Sequence, residues 1–130
     1  MEYKIDPIGG NLRYPNHWMA LSARDLVKFS QFYLQRGGLT KARAPYRAQD
    51  IRGVTSAYGL LWWVAGEENG VVPPGTFTAF GFGGSYLTVL PVLEMVVVSL
   101  VDTRSQSFKG ITGEAYNELL GMIVNAVSVR

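Results

Sequence analysis

Residues 81–85, Gly-Phe-Gly-Gly-Ser, form the segment of this sequence best suited to contact a substrate. Glycine has no Cβ, so a strand that contains three glycines lets the backbone of a ligand approach closely. On this interpretation Phe82, Gly83 and Gly84 would bind substrate. The same run is also typical of a glycine bulge that serves only the strand, and both interpretations stay open at this point.

A search of the sequence for an activated nucleophile finds none. An amine can take the proton of a serine three residues before it, because that spacing places both groups on one face of a helix. No serine of the chain has a lysine at that distance, and Ser107 comes closest, with Lys109 two residues later. The G-x-S-x-G motif, which holds the nucleophile of α/β-hydrolases, is also missing.

Metal and cofactor chemistry are not expected. The sequence contains no cysteine and a single histidine, His17, whereas a metal site needs three or four ligands. We interpret His17 as a structural or loop residue, and contact with a substrate near a cleft is the alternative. The sequence therefore predicts no metal site and no cofactor.

The composition favours one globular domain over residues 1–130, since 48% of the residues are apolar and 17% are charged. A net charge of +2 is too small to predict a nucleic-acid partner. The apolar run at 95–101 is far shorter than the ~20 residues that cross a bilayer, so no membrane span is expected. The cellular compartment stays open.

The clearest local element is a helix at residues 22–36. Ser22 and Asp25 form a capping-box pattern at its start, and the glycines at 37 and 38 supply a stop. Residues 1–20, which are rich in turn formers, are predicted as an irregular leading segment.

The remainder of the chain predicts hairpin-linked strands and a closing helix. Residues 38–56 are interpreted as a polar connection, and strands are predicted at 58–65, 76–80, 85–90 and 95–101. The last of these is apolar on both faces, which predicts a position in the middle of the sheet. Trp62 and Trp63 should face opposite sides of their strand.

The closing helix is predicted at residues 111–129 and is amphipathic. One face should carry Tyr116, Leu119, Ile123 and Val127. Helices at both ends with antiparallel strands between them predict an α+β fold, in which the sheet is flanked by N- and C-terminal helices.

Several motifs, in order, resemble those of β-lactamase-related serine hydrolases, the family of penicillin-binding proteins and class C β-lactamases. They are S-A-R-D-L-V-K-F at 22–29, Y-G-L-L-W-W at 58–63, G-F-G-G-S at 81–85, P-V-L-E-M-V-V-V at 91–98 and V-D-T at 101–103. Each motif alone is short, and their shared order makes the resemblance specific. It extends over roughly residues 13–127.

The resemblance implies the C-terminal portion of the serine β-lactamase-like fold and hydrolysis of a small ester or amide by acyl transfer. In that family the nucleophile lies in an S-x-x-K motif well before the helix matched here, so the sequence is expected to begin after it and to be inactive alone. Tyr14-Pro15-Asn16 matches the family's Y-x-N motif, which also lies further upstream, and we interpret the match as coincidence.

The resemblance also implies roles for the glycine run. The Ser85 N–H would be a backbone donor to the oxyanion hole. Phe82 stands where many relatives have His or Lys, which argues against substrates that carry a carboxylate, such as β-lactams. The alternative to an enzyme segment is a non-catalytic truncated domain that forms a homo-oligomer or docks with another chain, because loss of the nucleophile-bearing part exposes apolar surface.

Overall fold

A computed structural model describes residues 21–35, 47–51, 54–59, 61–102, 107 and 109–128. These residues contain two helices and six strands, with one helix before the strands in the chain and one after them. In chain order they are α1 (Ala23–Gln35), β1 (Arg47–Ile51), β2 (Val54–Gly59), β3 (Trp62–Ala65), β4 (Phe77–Gly81), β5 (Ser85–Leu90), β6 (Met95–Ser99) and α2 (Gly113–Ser128). Single turns of 3-10 helix lie at Glu67–Asn69, Phe82–Gly84 and Pro91–Leu93. The predicted α+β class is confirmed.

The six strands form one antiparallel sheet whose spatial order, β1-β2-β3-β4-β5-β6, follows the chain. Each strand pairs with its neighbour in sequence, and the connection at residues 66–76 between β3 and β4 is the longest. Strands β4 and β5 run in register from Phe77 opposite Val89 to Gly81 opposite Ser85. This meander places the glycine run at the turn between two well-paired strands.

The two helices lie on opposite faces of the sheet. Alternate residues of a strand point to opposite faces, so Leu87 and Val89 contact one helix while Tyr86 and Thr88 contact the other. On the first face, α1 packs through Leu26 and Tyr33 onto a core of four buried residues, Trp62, Phe77, Leu87 and Val89. On the second face, α2 packs through Tyr116 and Leu120 against Tyr86.

Helix α1 begins as the capping pattern predicts. The Asp25 N–H donates to Ser22 Oγ at 3.2 Å, and the Ser22 hydroxyl donates to Asp25 Oδ2 at 2.8 Å. The second bond differs from a full capping box, in which a longer carboxylate reaches the backbone N–H of the first residue. The predicted glycine stop at 37 and 38 lies outside the described residues, as does the leading segment at 1–20.

The prediction of one strand at 58–65 is wrong. The chain turns within it: Gly59 pairs with Trp62 and Tyr58 with Trp63, so these residues close a two-residue hairpin between β2 and β3. Leu61 adopts the positive φ of 71° that such a turn requires. Leucine is an unusual residue there, and the apolar pattern therefore conceals the turn. The predicted polar connection at 38–56 correspondingly contains β1 and the start of β2.

The prediction that residues 95–101 lie in the middle of the sheet is also wrong. Strand β6 ends at Ser99 and is the last strand in the order, with β5 as its one partner among the described residues. Its five side chains are half-buried. The strand is apolar on both faces because the helix layers lie over each side of the sheet: Val96 and Val98 pack against the α1 core, and Val97 packs against the α2 cluster.

Helix α2 begins after Thr112, whose Oγ1 accepts a hydrogen bond from the Ala115 N–H at 3.2 Å. Its buried residues are Gly113, Tyr116 and Leu120, so the predicted inner face is rotated: Leu119 and Val127 are exposed. A sequence pattern of apolar residues cannot distinguish the packed side from the exposed one when both are apolar. Neither helix in the described part of the chain is long and apolar enough to cross a membrane.

Candidate functional site

The glycine run forms a tight turn at one end of the sheet. Gly81 ends β4, Ser85 begins β5, and these two residues are paired across the strands. Between them Gly83 and Gly84 have φ of 76° and 88°, values in the left-handed region where a Cβ is unfavourable. Phe82 lies at the outside of this turn, with 77% of its surface exposed. The backbone conformation of the turn therefore requires glycine at positions 83 and 84.

Gly84 approaches another segment of the chain very closely. A Cβ on Gly84 would collide with the carbonyl oxygen of Ile111 and lie 2.7 Å from the Ile111 nitrogen. The Ile111 N–H donates to the carbonyl oxygen of Gly83 at 3.1 Å. These contacts anchor the turn to the segment that leads into α2, so the close approach that Gly84 allows is to the protein's own backbone.

Ser85 is half-buried at the start of β5, and its hydroxyl is engaged. Its Oγ accepts a hydrogen bond from the Val101 N–H at 3.3 Å, which ties the start of β5 to the chain that leaves β6. No lysine, histidine or carboxylate contributes to this bond. The geometry thus favours a positional role for the Ser85 side chain.

An open groove with a volume of about 510 Å³ lies between α1 and the ends of strands β3, β4 and β5. Gly81 and Ser85 line it, and most of its other lining residues are aromatic or aliphatic. The aromatic ones are Phe29, Tyr33, Trp62, Phe80 and Tyr86, and the larger aliphatic ones are Leu21, Leu26, Leu61, Leu87 and Leu100. Its volume falls in the range of about 300–1,000 Å³ that is common for ligand sites.

The residues predicted for the site do not all lie together. Ser85 lines the groove, whereas Phe82 is on the exposed side of the turn and Gly83 and Gly84 face the segment at Ile111. Gly81 is the glycine of the run that does line the groove, and a Cβ built on it meets no atom within 4 Å. The glycine pattern alone does not separate a glycine that faces open space from one that the fold requires.

The α1 side of the groove was not predicted. Phe29 follows the helical spacing that marks α1 as amphipathic, but almost half of its surface stays exposed at the groove. Leu61 is 80% exposed at the rim of the groove because of the hairpin turn. Once the hairpin turn is identified, a large apolar residue such as Leu61 at the turn is the sequence signal that indicates this side of the groove.

A second, smaller cavity of about 90 Å³ lies on the other face of the sheet, between β3, β4 and α2. Thr76 lines it and is nearly fully buried, and its hydroxyl has no hydrogen-bond partner in the described part of the chain. Nearby, Thr88 Oγ1 lies 2.9 Å from Thr78 Oγ1 and 2.7 Å from the Tyr116 hydroxyl. Burial raises the pKa of Tyr116 to about 12, so this phenol stays neutral and cannot serve as a base near neutral pH.

The described residues do not bring together a nucleophile and a base. Ser22 does contact a carboxylate, but its hydrogen bond lowers the pKa of Asp25, which makes that carboxylate a weaker base. Within the described ranges no group of three or more His, Asp or Glu side chains could hold a metal ion. His17 and the Tyr14-Pro15-Asn16 match lie outside those ranges.

The described residues therefore form an apolar groove of ligand size, with Gly81 and Ser85 in its wall, and they do not place a base beside a nucleophile. Comparison of the chain with protein-family models, with curated proteins and with solved structures finds no match.

Proposed function

We propose that this chain is the C-terminal segment of a serine hydrolase related to β-lactamases and penicillin-binding proteins, acting on an ester or amide by acyl transfer. The observation that carries the proposal is the position of the β4–β5 turn. It places the paired residues Gly81 and Ser85 at the end of an apolar groove of ligand size. The order of the sequence motifs supplies the reaction type.

In this proposal the strand serves as the oxyanion side of the site, with the Ser85 N–H as a donor. Preorganisation is what makes such a donor effective, because it then costs no rearrangement during the reaction. Two contacts support a fixed position: the bond from Val101 to Ser85 Oγ and the bond from Ile111 to the Gly83 carbonyl. The exposed Phe82 provides no cation for a substrate carboxylate.

The proposal assigns the nucleophile to a segment outside these 130 residues. A fluorophosphonate probe, which reacts covalently with activated serines, tests this assignment. We expect the 130-residue chain to stay unlabelled and to hydrolyse neither short aryl esters nor a chromogenic cephalosporin. A chain extended upstream to an S-x-x-K motif should be labelled at the serine of that motif.

Two results would overturn the proposal. Labelling of a serine within residues 1–130, lost on its change to alanine, would place the nucleophile inside the chain. An upstream reading frame without S-x-x-K would remove the source of the nucleophile.

A second candidate function is a non-catalytic domain that self-associates or docks with another chain. The observation that favours it is β6, which is an outer strand of the sheet within the described part of the chain, carries no charged residue and has half-buried side chains. Unpaired, uncharged edges are templates for pairing with a further strand. The two candidates are compatible, because the strand that pairs with β6 could come from a second copy or from the nucleophile-bearing segment.

A further inference from the structure

The groove beside α1 has a chemical character that specifies what it can hold. Among the described residues that line it, Asp25 is the only charged one, and it carries a negative charge. The hydrogen bond from Ser22 lowers the pKa of Asp25, so the carboxylate is ionised at neutral pH. An anionic ligand would therefore meet a like charge and find no cation among these residues.

The walls of the groove favour an apolar ligand. Tyr33 and Trp62, which line the groove, contact each other edge-to-face with ring centroids 5.4 Å apart, and both also contact the buried Phe77, which does not line it. Trp62 is buried beneath the groove, whereas Phe29 and Leu61 are exposed at its sides. Apolar surface left open in this way is stabilised by a ligand that removes it from water.

We propose that this groove binds the uncharged, apolar arm of an ester or amide substrate and discriminates against carboxylates. This inference rests on the proposed function in one respect, namely that the bound molecule is the substrate of a hydrolase. The occupant is a neutral alkyl or aryl chain that extends from the Gly81–Ser85 end of the groove towards Phe29. The reacting carbonyl then lies beside the Ser85 N–H.

The test measures binding to the 130-residue chain and needs no catalysis. Butanol, hexanol and octanol serve as neutral probes and octanoate as the charged match of octanol, with calorimetry for affinity and the Trp62 indole NMR signal for location. Affinity for the alcohols should rise about fourfold per added methylene group, as apolar burial predicts. Octanol should bind at least about tenfold more tightly than octanoate, because a carboxylate loses its hydration against the apolar walls, and Asp25 adds a screened repulsion.

Three variants locate the effect. Phe29→Glu places a second carboxylate at the groove and should weaken octanol binding about tenfold or more. Phe32→Glu adds the same charge to α1 at an exposed residue that contacts Tyr33 but does not line the groove, and it should weaken octanol binding far less than Phe29→Glu. Asp25→Asn should raise the affinity for octanoate and leave that for octanol unchanged, since the amide still accepts the Ser22 bond.

Equal affinity for octanol and octanoate, or equal effects of Phe29→Glu and Phe32→Glu in folded variants, would overturn the inference. Absence of binding by every alcohol would also overturn it. The outcome is separable from that of the proposed function. Labelling of an upstream serine without alcohol binding refutes the groove alone, and alcohol binding without any such serine refutes the hydrolase alone.

Discussion

The glycines of the 81–85 run have different tasks although they are identical residues. Gly84 combines a positive φ with contact to the Ile111 backbone, whereas Gly81 has an extended backbone and faces open space. A side chain at Gly84 would therefore disturb the fold before it could obstruct a substrate. Gly81 is the position at which substrate approach can be tested separately from stability.

We expect Gly84→Ala to lower the free energy of unfolding by about 2 kcal/mol or more, because the left-handed backbone and the clash both oppose a Cβ. Gly81→Ala is the matched control and should change it by less than about 0.5 kcal/mol. Urea denaturation of both variants measures the difference. In a complete enzyme, Gly81→Val should reduce turnover while the protein stays folded, and full activity of that variant would remove Gly81 from the site.

Ser22 illustrates a serine beside a carboxylate whose role is structural. Ser22→Ala should destabilise the chain by about 1 kcal/mol, the usual contribution of an N-cap side chain. It should also return the pKa of Asp25 towards its ordinary value, which NMR titration measures, because the lowering comes first from the Ser22 hydroxyl. Activity of a complete enzyme should be unchanged. A folded but inactive Ser22→Ala variant would contradict this assignment.

Tyr116 makes the stability of the folded protein decrease at alkaline pH. Its folded-state pKa of about 12 lies above the ordinary value of about 10, so the folded state favours the neutral phenol. The associated stability is present below pH ~10 and is lost as the pH rises from there towards 12, because the unfolded chain ionises first. We expect Tyr116→Phe to be less stable at neutral pH by about 1 kcal/mol, through loss of the bond to Thr88.

The pH dependence separates this effect from simple loss of packing. Between about pH 10 and 12 the wild-type chain should lose roughly 2 kcal/mol of stability that Tyr116→Phe does not lose, so the two curves should approach each other and cross within this range. Urea denaturation across this range measures both arms. Parallel curves would mean that the phenol is not shifted in the folded state.

At the scale of elements, sequence patterns predicted most reliably the features that have a local physical cause. The start of α1 follows from Ser22 and Asp25. The turn at 91–94 follows from proline and its neighbours, and Glu94 adopts a left-handed backbone conformation at its end. The hairpin at Leu61 could not be predicted, because its residues are apolar and no glycine or asparagine marks the positive φ. The apolar pattern of β6 does not reveal its position in the sheet, because helices cover both faces of the sheet and an outer strand then has the same apolar pattern as a central one.

The candidate site shows the same division. Residue type identified the glycine run and Ser85 as the segment to examine. The groove depends on which face of α1 packs against which strand. A prediction of one strand at 58–65 omits the hairpin, so it does not place Leu61 and Trp62 relative to α1. Only the pairing of Gly59 with Trp62 brings Leu61 and Trp62 beside Phe29.

At the scale of the whole molecule, the two outer strands of the sheet, as far as the structure describes it, differ in charge. Strand β1 carries Arg47 and Asp50, whereas β6 (Met95–Ser99) carries no charge. Charged edges resist further pairing and uncharged ones permit it. Two copies that pair β6 with β6 close on themselves through two-fold symmetry, whereas pairing of β6 with β1 would continue into a filament. A net charge of +2 opposes such contact only weakly.

We therefore expect the 130-residue chain to form a concentration-dependent dimer, which light scattering over a dilution series measures. Because the chain has no native cysteine, Val97→Cys, at the centre of the five-residue β6, is a clean probe of the pairing. Opposed residues of antiparallel strands have Cβ atoms about 4.5–5.5 Å apart, close enough for an intermolecular disulfide after small adjustments.

Glu67→Cys, in the exposed turn after β3, should remain monomeric on a non-reducing gel. A chain of 14.3 kDa at every concentration, with no disulfide from a scan of β6, would refute the edge contact.

The meander order of the sheet has a consequence for how the chain folds. Every strand pairs with its neighbour in sequence, so the sheet is assembled from contacts of short sequence separation, and low contact order is associated with fast folding. The contacts of the two helices with the sheet join residues further apart in the chain, and those of α1 with Leu87 and Val89 are the most distant of the helix contacts with β5. We expect substitutions in the β4–β5–β6 hairpins to slow folding, and substitutions at Leu26 or Tyr33 mainly to accelerate unfolding.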